Sequence, residues 1–374
     1  MQVTRIAALS LEERTRRYGA VRAEMDKRDL DVLVVIGRDS TGGRGDFRYL
    51  ASYAPVTPLP HFVVFPRAEV EPRFMSQLPS RSRLAVESGW VKDAATFWLG
   101  LDDAIVEQVA TFLGSGRIGL GRLSTVPIPL YQALIARFGA DVVVDAGELF
   151  ESVRLVKSDE EIAFARVAAE ASDAALSYLR TEVHANSTDR EIYSQARRIM
   201  HEYGAEYSMD IIGCNVAGGW APIGASPGDD GFVQAEWTPA VGGYYNQIRF
   251  DFAFGEAARS RAAARDVLRE AYEATVEFAR PGVTAEQLYA VGNDVITSSG
   301  FAAGAGHFGH GLGLDVTEGI SIEPADLTPL VSGMIFVLHP KIVPASGEPQ
   351  LLLGGTFLVT SDGLEALNAV DCFA

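Results

Sequence analysis

Two histidines stand three residues apart in the stretch "AGHFGHGLGLDVTEG", Ala305 to Gly319, and a third, His339, closes the apolar run "MIFVL" just before Pro340. The chain has six histidines, and His307, His310 and His339 fall within 33 residues of one another. Imidazole changes charge near neutral pH, so these groups could move protons or hold a metal ion. Gly309 and Gly311 flank His310 and leave its backbone unshielded, so that another group can approach closely. A histidine at the end of a buried strand needs a hydrogen-bond partner or a site to serve, because an unpaired buried polar group is costly. His184 and His201 sit in or beside charged, helical sequence and read as solvated surface residues.

A second stretch, "EWTPAVGGYYNQIRFDF", gathers further chemistry. Glu236 falls towards the end of one strand-like run. Gln247, Arg249 and Asp251 lie on the next, on one face, since strand side chains alternate with period two. The Gly-Gly between the runs reads as a hairpin turn. Taken singly, these residues describe equally well a hairpin with one polar face.

Positioning such groups needs a sizeable scaffold, and 374 residues suggest two domains. Hydrophobic residues make up 48% and charged residues 22%, ordinary globular usage. The net charge of −17 would repel a phosphate backbone, so nucleic acid is not an expected partner. There is no apolar leader and no apolar run long enough to span a membrane, so no membrane association is expected. Cys214 and Cys372 lack the spacing of a zinc site or disulfide framework, which fits a reducing cytoplasm.

Over roughly the first 150 residues, helical patterns alternate with β-branched runs such as "DVLVVIG", "HFVVFP", "RIGLG" and "DVVVDA", the signature of an α/β domain. Ser10 followed by Glu13 marks the first helix start. From Ser158 the texture changes to helix pairs interleaved with antiparallel-looking strands: two helices, the strand-like "FVQAEW" and "YYNQIRFDFAFG", two more helices, and closing strands "GMIFVLHPKIV" and "GTFLVTSDG". The expected organisation is therefore an α/β N-terminal domain, residues 1–154, and an α+β domain, residues 155–374.

Together these stretches resemble the pita-bread superfamily of creatinase, aminopeptidase P and prolidase. "DFRYLASY" looks like a segment of the creatinase-type N-terminal domain, "VRLVKSDEEIAFAR" like the linker helix, "ARPGVTAEQLY" like the "RPG" turn, and "GHGLGLDVTE" and "SGMIFVLHP" like two segments of the site wall. The resemblance implies a creatinase-like N-terminal domain followed by a pita-bread domain, and a homodimer in which one N-terminal domain borders the partner's site.

The metallopeptidase branch of that superfamily uses two aspartates, a histidine and two glutamates. Carried over residue by residue, the first aspartate falls on Glu236, the second on Gln247, the histidine on His310, and the glutamates on His339 and on or near Gly354. One carboxylate, one amide and two imidazoles supply too few anionic oxygens for two hard divalent ions. Creatinase works without metal, but its guanidinium-binding glutamates fall on Arg249 and His339, which would repel a cation.

The leading expectation is thus a metal-independent creatinase-like enzyme without a cofactor, cleaving a C–N bond by hydrolysis or elimination in a small carboxylate-bearing substrate. His310, His339 and Glu236 would be catalytic. Arg249, Gln247, Tyr245, Trp220, His307 and Glu318 would bind substrate, Arg249 gripping the carboxylate. Alternatives are a single metal held by Glu236, His310 and His339, a catalytically inactive binding protein, and, disfavoured, an Xaa-Pro aminopeptidase-like metallopeptidase.

Overall fold

The computed structural model describes residues 8–38, 44–54, 57, 59–216, 221–344 and 350–373. The chain divides into two compact units, one over Ala7–Leu155 and one built from Val156 onward.

In the first unit, strands β1 (Leu30–Gly37), β2 (His61–Pro66), β3 (Arg73–Ser76), β4 (Asp93–Thr96), β5 (Arg117–Leu120) and β6 (Val143–Asp145) form a mixed sheet in the order β4-β3-β2-β1-β5-β6. Helices α1 (Leu11–Lys27), α2 (Arg44–Ala51), α3 (Pro79–Ser88), α4 (Leu101–Phe112), α5 (Ile128–Phe138) and α6 (Gly147–Arg154) accompany it. Val32, Val34 and Ile36 of β1 point alternately into a core closed by Ile105 and Val109 of α4 and Leu130 and Leu134 of α5. The α/β expectation for this half is met, and Ser10 caps α1 by accepting the Glu13 N–H.

In the second unit, helices α7 (Asp159–Glu182) and α8 (Asp189–Glu202) each begin with a complete capping box, Ser158 with Glu161 and Thr188 with Glu191. The strands that follow are β7 (Tyr207–Ser208), β8 (Ile211–Cys214), β9 (Phe232–Trp237), β10 (Pro239–Val241), β11 (Tyr244–Tyr245) and β12 (Ile248–Ala253). Gly242 and Gly243 make the turn between β10 and β11 with φ of 57° and 87°, the left-handed region that favours glycine. After helices α9 (Gly255–Phe278) and α10 (Ala285–Ser298) come β13 (Ala302–Ala303), β14 (Gly309–Gly311), β15 (Ile335–Leu338), β16 (Lys341–Val343), β17 (Leu351–Leu352), β18 (Gly355–Val359) and β19 (Leu364–Ala366). These strands form short antiparallel sheets ordered β11-β10-β7, β12-β9-β8, β13-β16-β17 and β14-β15-β18-β19, which with the four helices make an α+β unit. Among the described residues no helix is long and apolar enough to cross a membrane.

One departure from the sequence expectation positions the site. "GMIFVLHPKIV" is not one strand: β15 stops at Leu338, and β16 resumes at Lys341 in a different sheet. Pro340 has no N–H to donate, so the ladder cannot run through it. His339 is left at the crossing point, its own N–H donating to Phe308 O at 2.7 Å.

Candidate functional site

Antiparallel pairing of β9 with β12 sets Arg249 directly opposite Glu236. The Arg249 Nε lies against Glu236 Oε2 as an ion pair, in which the carboxylate is 1% exposed and the arginine side chain 20%. Thr238 Oγ1 donates to the other carboxylate oxygen at 3.1 Å. Burial raises the Glu236 pKa, and the Arg249 charge and the Thr238 hydrogen bond oppose that rise. The Glu236 carboxylate therefore pairs with Arg249 and Thr238 and makes no hydrogen bond to a histidine among the described residues.

Strand β14 holds His310 between β15 and residues 318–322. It pairs with Val337 on one side and bridges to Ser321 on the other. The flanking glycines are required by this sandwich, since a Cβ on Gly309 would sit 2.1 Å from Val337 O and one on Gly311 1.9 Å from Glu318 O. Neighbouring backbone, and not a substrate, therefore takes up the space they leave.

His307, His310 and His339 meet in a triangle with ring centroids 5.2, 5.5 and 5.5 Å apart. Burial depresses the pKa of all three, His310 to about 4 and His339 well below its ordinary value, and the nearby Arg249 and Lys341 charges push the same way. At neutral pH they are uncharged proton acceptors. Gln247 Oε1, His307 Nδ1 and His339 Nδ1 are buried without a hydrogen-bond partner among the described residues.

Lys341, which the sequence reading passes over, joins the cluster from β16. Its Nζ donates to Ala305 O at 3.3 Å, and burial together with Arg249 lowers its pKa. The signal was its place two residues beyond His339, across Pro340. The remaining expected residues stand apart. Glu318 is buried in an ion pair with Lys157 at 2.9 Å and so is occupied. Tyr245 is buried on β11, its N–H donating to Gly313 O. Trp220 lies outside the described residues. His61 is buried in the first unit, bonded to Ser76 and Thr57.

A pH dependence follows from the buried imidazoles. The unfolded chain takes up a proton on each histidine near pH 6.5, whereas folded His310 does so only near 4. Between those values the unfolded state binds more protons, so stability present above pH 6.5 is lost as pH falls. His310 alone contributes up to about 3 kcal/mol to that loss. Urea midpoints at pH 7, 5.5 and 4.5 are expected to fall steeply for the native chain and less for His310→Asn. His61, also depressed to about 4, retains part of the slope in that variant. Identical profiles for the two proteins would contradict this reading.

Comparison with known proteins supplies the lineage. Residues 163–361, more than half the chain, match the model of metallopeptidase family M24. The Xaa-Pro dipeptidase of Pyrococcus horikoshii is 26% identical over 264 residues, 67% of this chain and 73% of the relative. That of Lactobacillus helveticus is 29% identical over 255 residues, 64% and 67% of the two chains. Among solved structures, a prolidase from Pyrococcus horikoshii superimposes with a TM-score of 0.81 at 19% identity, covering 95% of this chain and 98% of that one. Recombinant prolidase from Thermococcus sibiricus gives 0.85 at 17% identity, with 98% of each chain covered. At such identities the superpositions establish the two-domain pita-bread fold.

Two expectations are corrected by these matches. A metal-independent creatinase-like C–N-cleaving enzyme is overturned, because the relatives are dipeptidases and the family is one of metallopeptidases. The expectation of no cofactor falls with it, since the family points to a metal. Counting lost carboxylates describes what the site lacks, which does not identify the reaction inherited with the fold.

The pair of ions implied by the family nonetheless does not fit the residues present. Among the described residues no group of three or more His, Cys, Asp or Glu is arranged to hold a metal ion. Three carboxylates of the second unit already carry a cation of the chain's own: Glu236 has Arg249, Glu318 has Lys157, and Asp251 has Arg261 and Arg265, both at 2.8 Å. At position 354 a side chain is barred outright, since a Cβ there would stand 1.8 Å from Leu338 O and 2.7 Å from His339 Cα. The lineage is clear even where the ligands have changed: the chain belongs to the metallopeptidase family M24.

Proposed function

We propose that this chain is a hydrolase of small dipeptide-like substrates, of the kind its relatives' name, Xaa-Pro dipeptidase, describes. The observation that supports this best is the span of the family match, which takes in Glu236, Gln247, Arg249 and all three clustered histidines. The site's own residues suit a small polar molecule. His310 and His339, uncharged at neutral pH, can accept protons. The orphaned Gln247 amide can hydrogen-bond a substrate peptide group. The test is release of proline from a panel of Xaa-Pro dipeptides by protein as purified, after chelation, and with manganese, cobalt or zinc restored. Cleavage of at least one dipeptide in one of these states is expected; none in any state would contradict hydrolase function.

The pairing of Glu236, Glu318 and Asp251 with cations favours a second reading, in which the inherited site holds such a molecule without cleaving it. Dipeptides that raise the melting temperature yet survive incubation intact would select this reading, because a ligand specific to the folded state stabilises it by mass action.

A further inference from the structure

Two basic side chains, Arg249 and Lys341, belong to the surroundings of the three clustered histidines. Arg249 spends its Nε on Glu236, and its two Nη groups make no hydrogen bond among the described residues. Its side chain is one-fifth exposed, so those groups can be reached. The Lys341 ammonium forms no ion pair among the described residues and makes one hydrogen bond there, to Ala305 O. Both cations act on His307, His310 and His339. Of the acidic groups, Glu236 is committed to Arg249, Glu323 acts on His307, and Asp210, which acts on Glu236, lies 3.7 Å from Arg197. The imidazoles and Gln247 add no charge. Around the three histidines there are therefore two cations against one buried carboxylate, and an added metal ion would meet repulsion.

We propose that Arg249 and Lys341 are a built-in cation pair that seats a carboxylate of the bound molecule where the family places its metal ions. The guanidinium offers two donors in a fork that matches a carboxylate, and the ammonium adds a third. His307 Nδ1 and His339 Nδ1 are buried without a partner among the described residues, and each donates a hydrogen bond in the tautomer that carries its proton there. Gly354 makes this possible. Its backbone bridges to Arg249 through Arg249 N to Gly354 O at 2.8 Å and Gly354 N to Arg249 O at 3.2 Å, and no side chain competes for the space. This proposal rests on the dipeptide-like reading for the identity of the ligand, but not for the anion seat itself.

Calorimetric titration of the full chain distinguishes the two. L-alanyl-L-proline is expected to bind about tenfold or more tightly than its C-terminal amide, the effect of one or two charge-assisted hydrogen bonds. Lys341→Gln is expected to erase most of that difference by weakening the acid and sparing the amide. The paired substitution Glu236→Gln with Arg249→Gln should do the same, and Lys341→Gln decides the matter if the paired variant does not fold. Equal binding of acid and amide, or a difference that survives Lys341→Gln, would overturn the proposal. If neither dipeptide form binds, the dipeptide reading fails, and acetate and L-proline then serve as probes. Binding of either that is lost in Lys341→Gln upholds the anion seat, and no binding of any carboxylate overturns it.

Discussion

Gly354→Ala is expected to destabilise the chain by about 3 kcal/mol, at the upper end for overpacking a tight site. The added methyl would lie 1.8 Å from Leu338 O and 2.7 Å from His339 Cα. Both are backbone atoms that cannot swing aside as a flexible side chain could. Relief would require parting residue 354 from the end of β15, and with it the two-bond bridge to Arg249 that ties β12 to the segment before β18. Chemical denaturation measures the loss directly, and a midpoint unchanged from the native chain would show that the two backbones are not so close. The same clash makes Gly354→Glu, the substitution that would restore a family ligand, a packing defect first and a metal ligand second.

Arg249→Gln is expected to cost about 3–5 kcal/mol, because it leaves the buried carboxylate of Glu236 without its cation. The residue left behind is 1% exposed, and its remaining hydrogen bond is from Thr238. Replacing both partners, Glu236→Gln with Arg249→Gln, removes the uncompensated charge and should recover much of the loss, as replacing a whole buried pair generally does. A double-mutant cycle in urea gives the coupling. Single and double variants of equal stability would mean that the two side chains do not depend on each other.

Much of the fold was legible because it is written in local patterns. The capping signature at Ser10, the β-branched runs of the first sheet and the Gly-Gly turn each depend on a few neighbouring residues, and each appears where the sequence puts it. The motif resemblance located Glu236, Gln247, His310 and His339, and the structure brings His310 and His339 together with His307. What escaped depends on register between distant strands. Nothing in the spacing of Glu236 and Arg249 says that they are cross-strand partners and not two groups facing a common ligand. Lys341 looked like a strand residue until the break at Pro340 turned β16 into another sheet. Activity was the weakest inference, since replaced ligands say little about the reaction of the lineage from which they were replaced.

This M24 site is centred either on its own cations or on a pair of metal ions. Titration of manganese(II) into the chelated full chain, followed by electron paramagnetic resonance of the free and bound ion, addresses this most directly. With Arg249 and Lys341 in place, no stoichiometric pair of ions is expected to bind, and Lys341→Gln should not create one. Two ions per chain with the spectrum of a spin-coupled pair would contradict the account, since they could enter only by displacing Arg249 from Glu236.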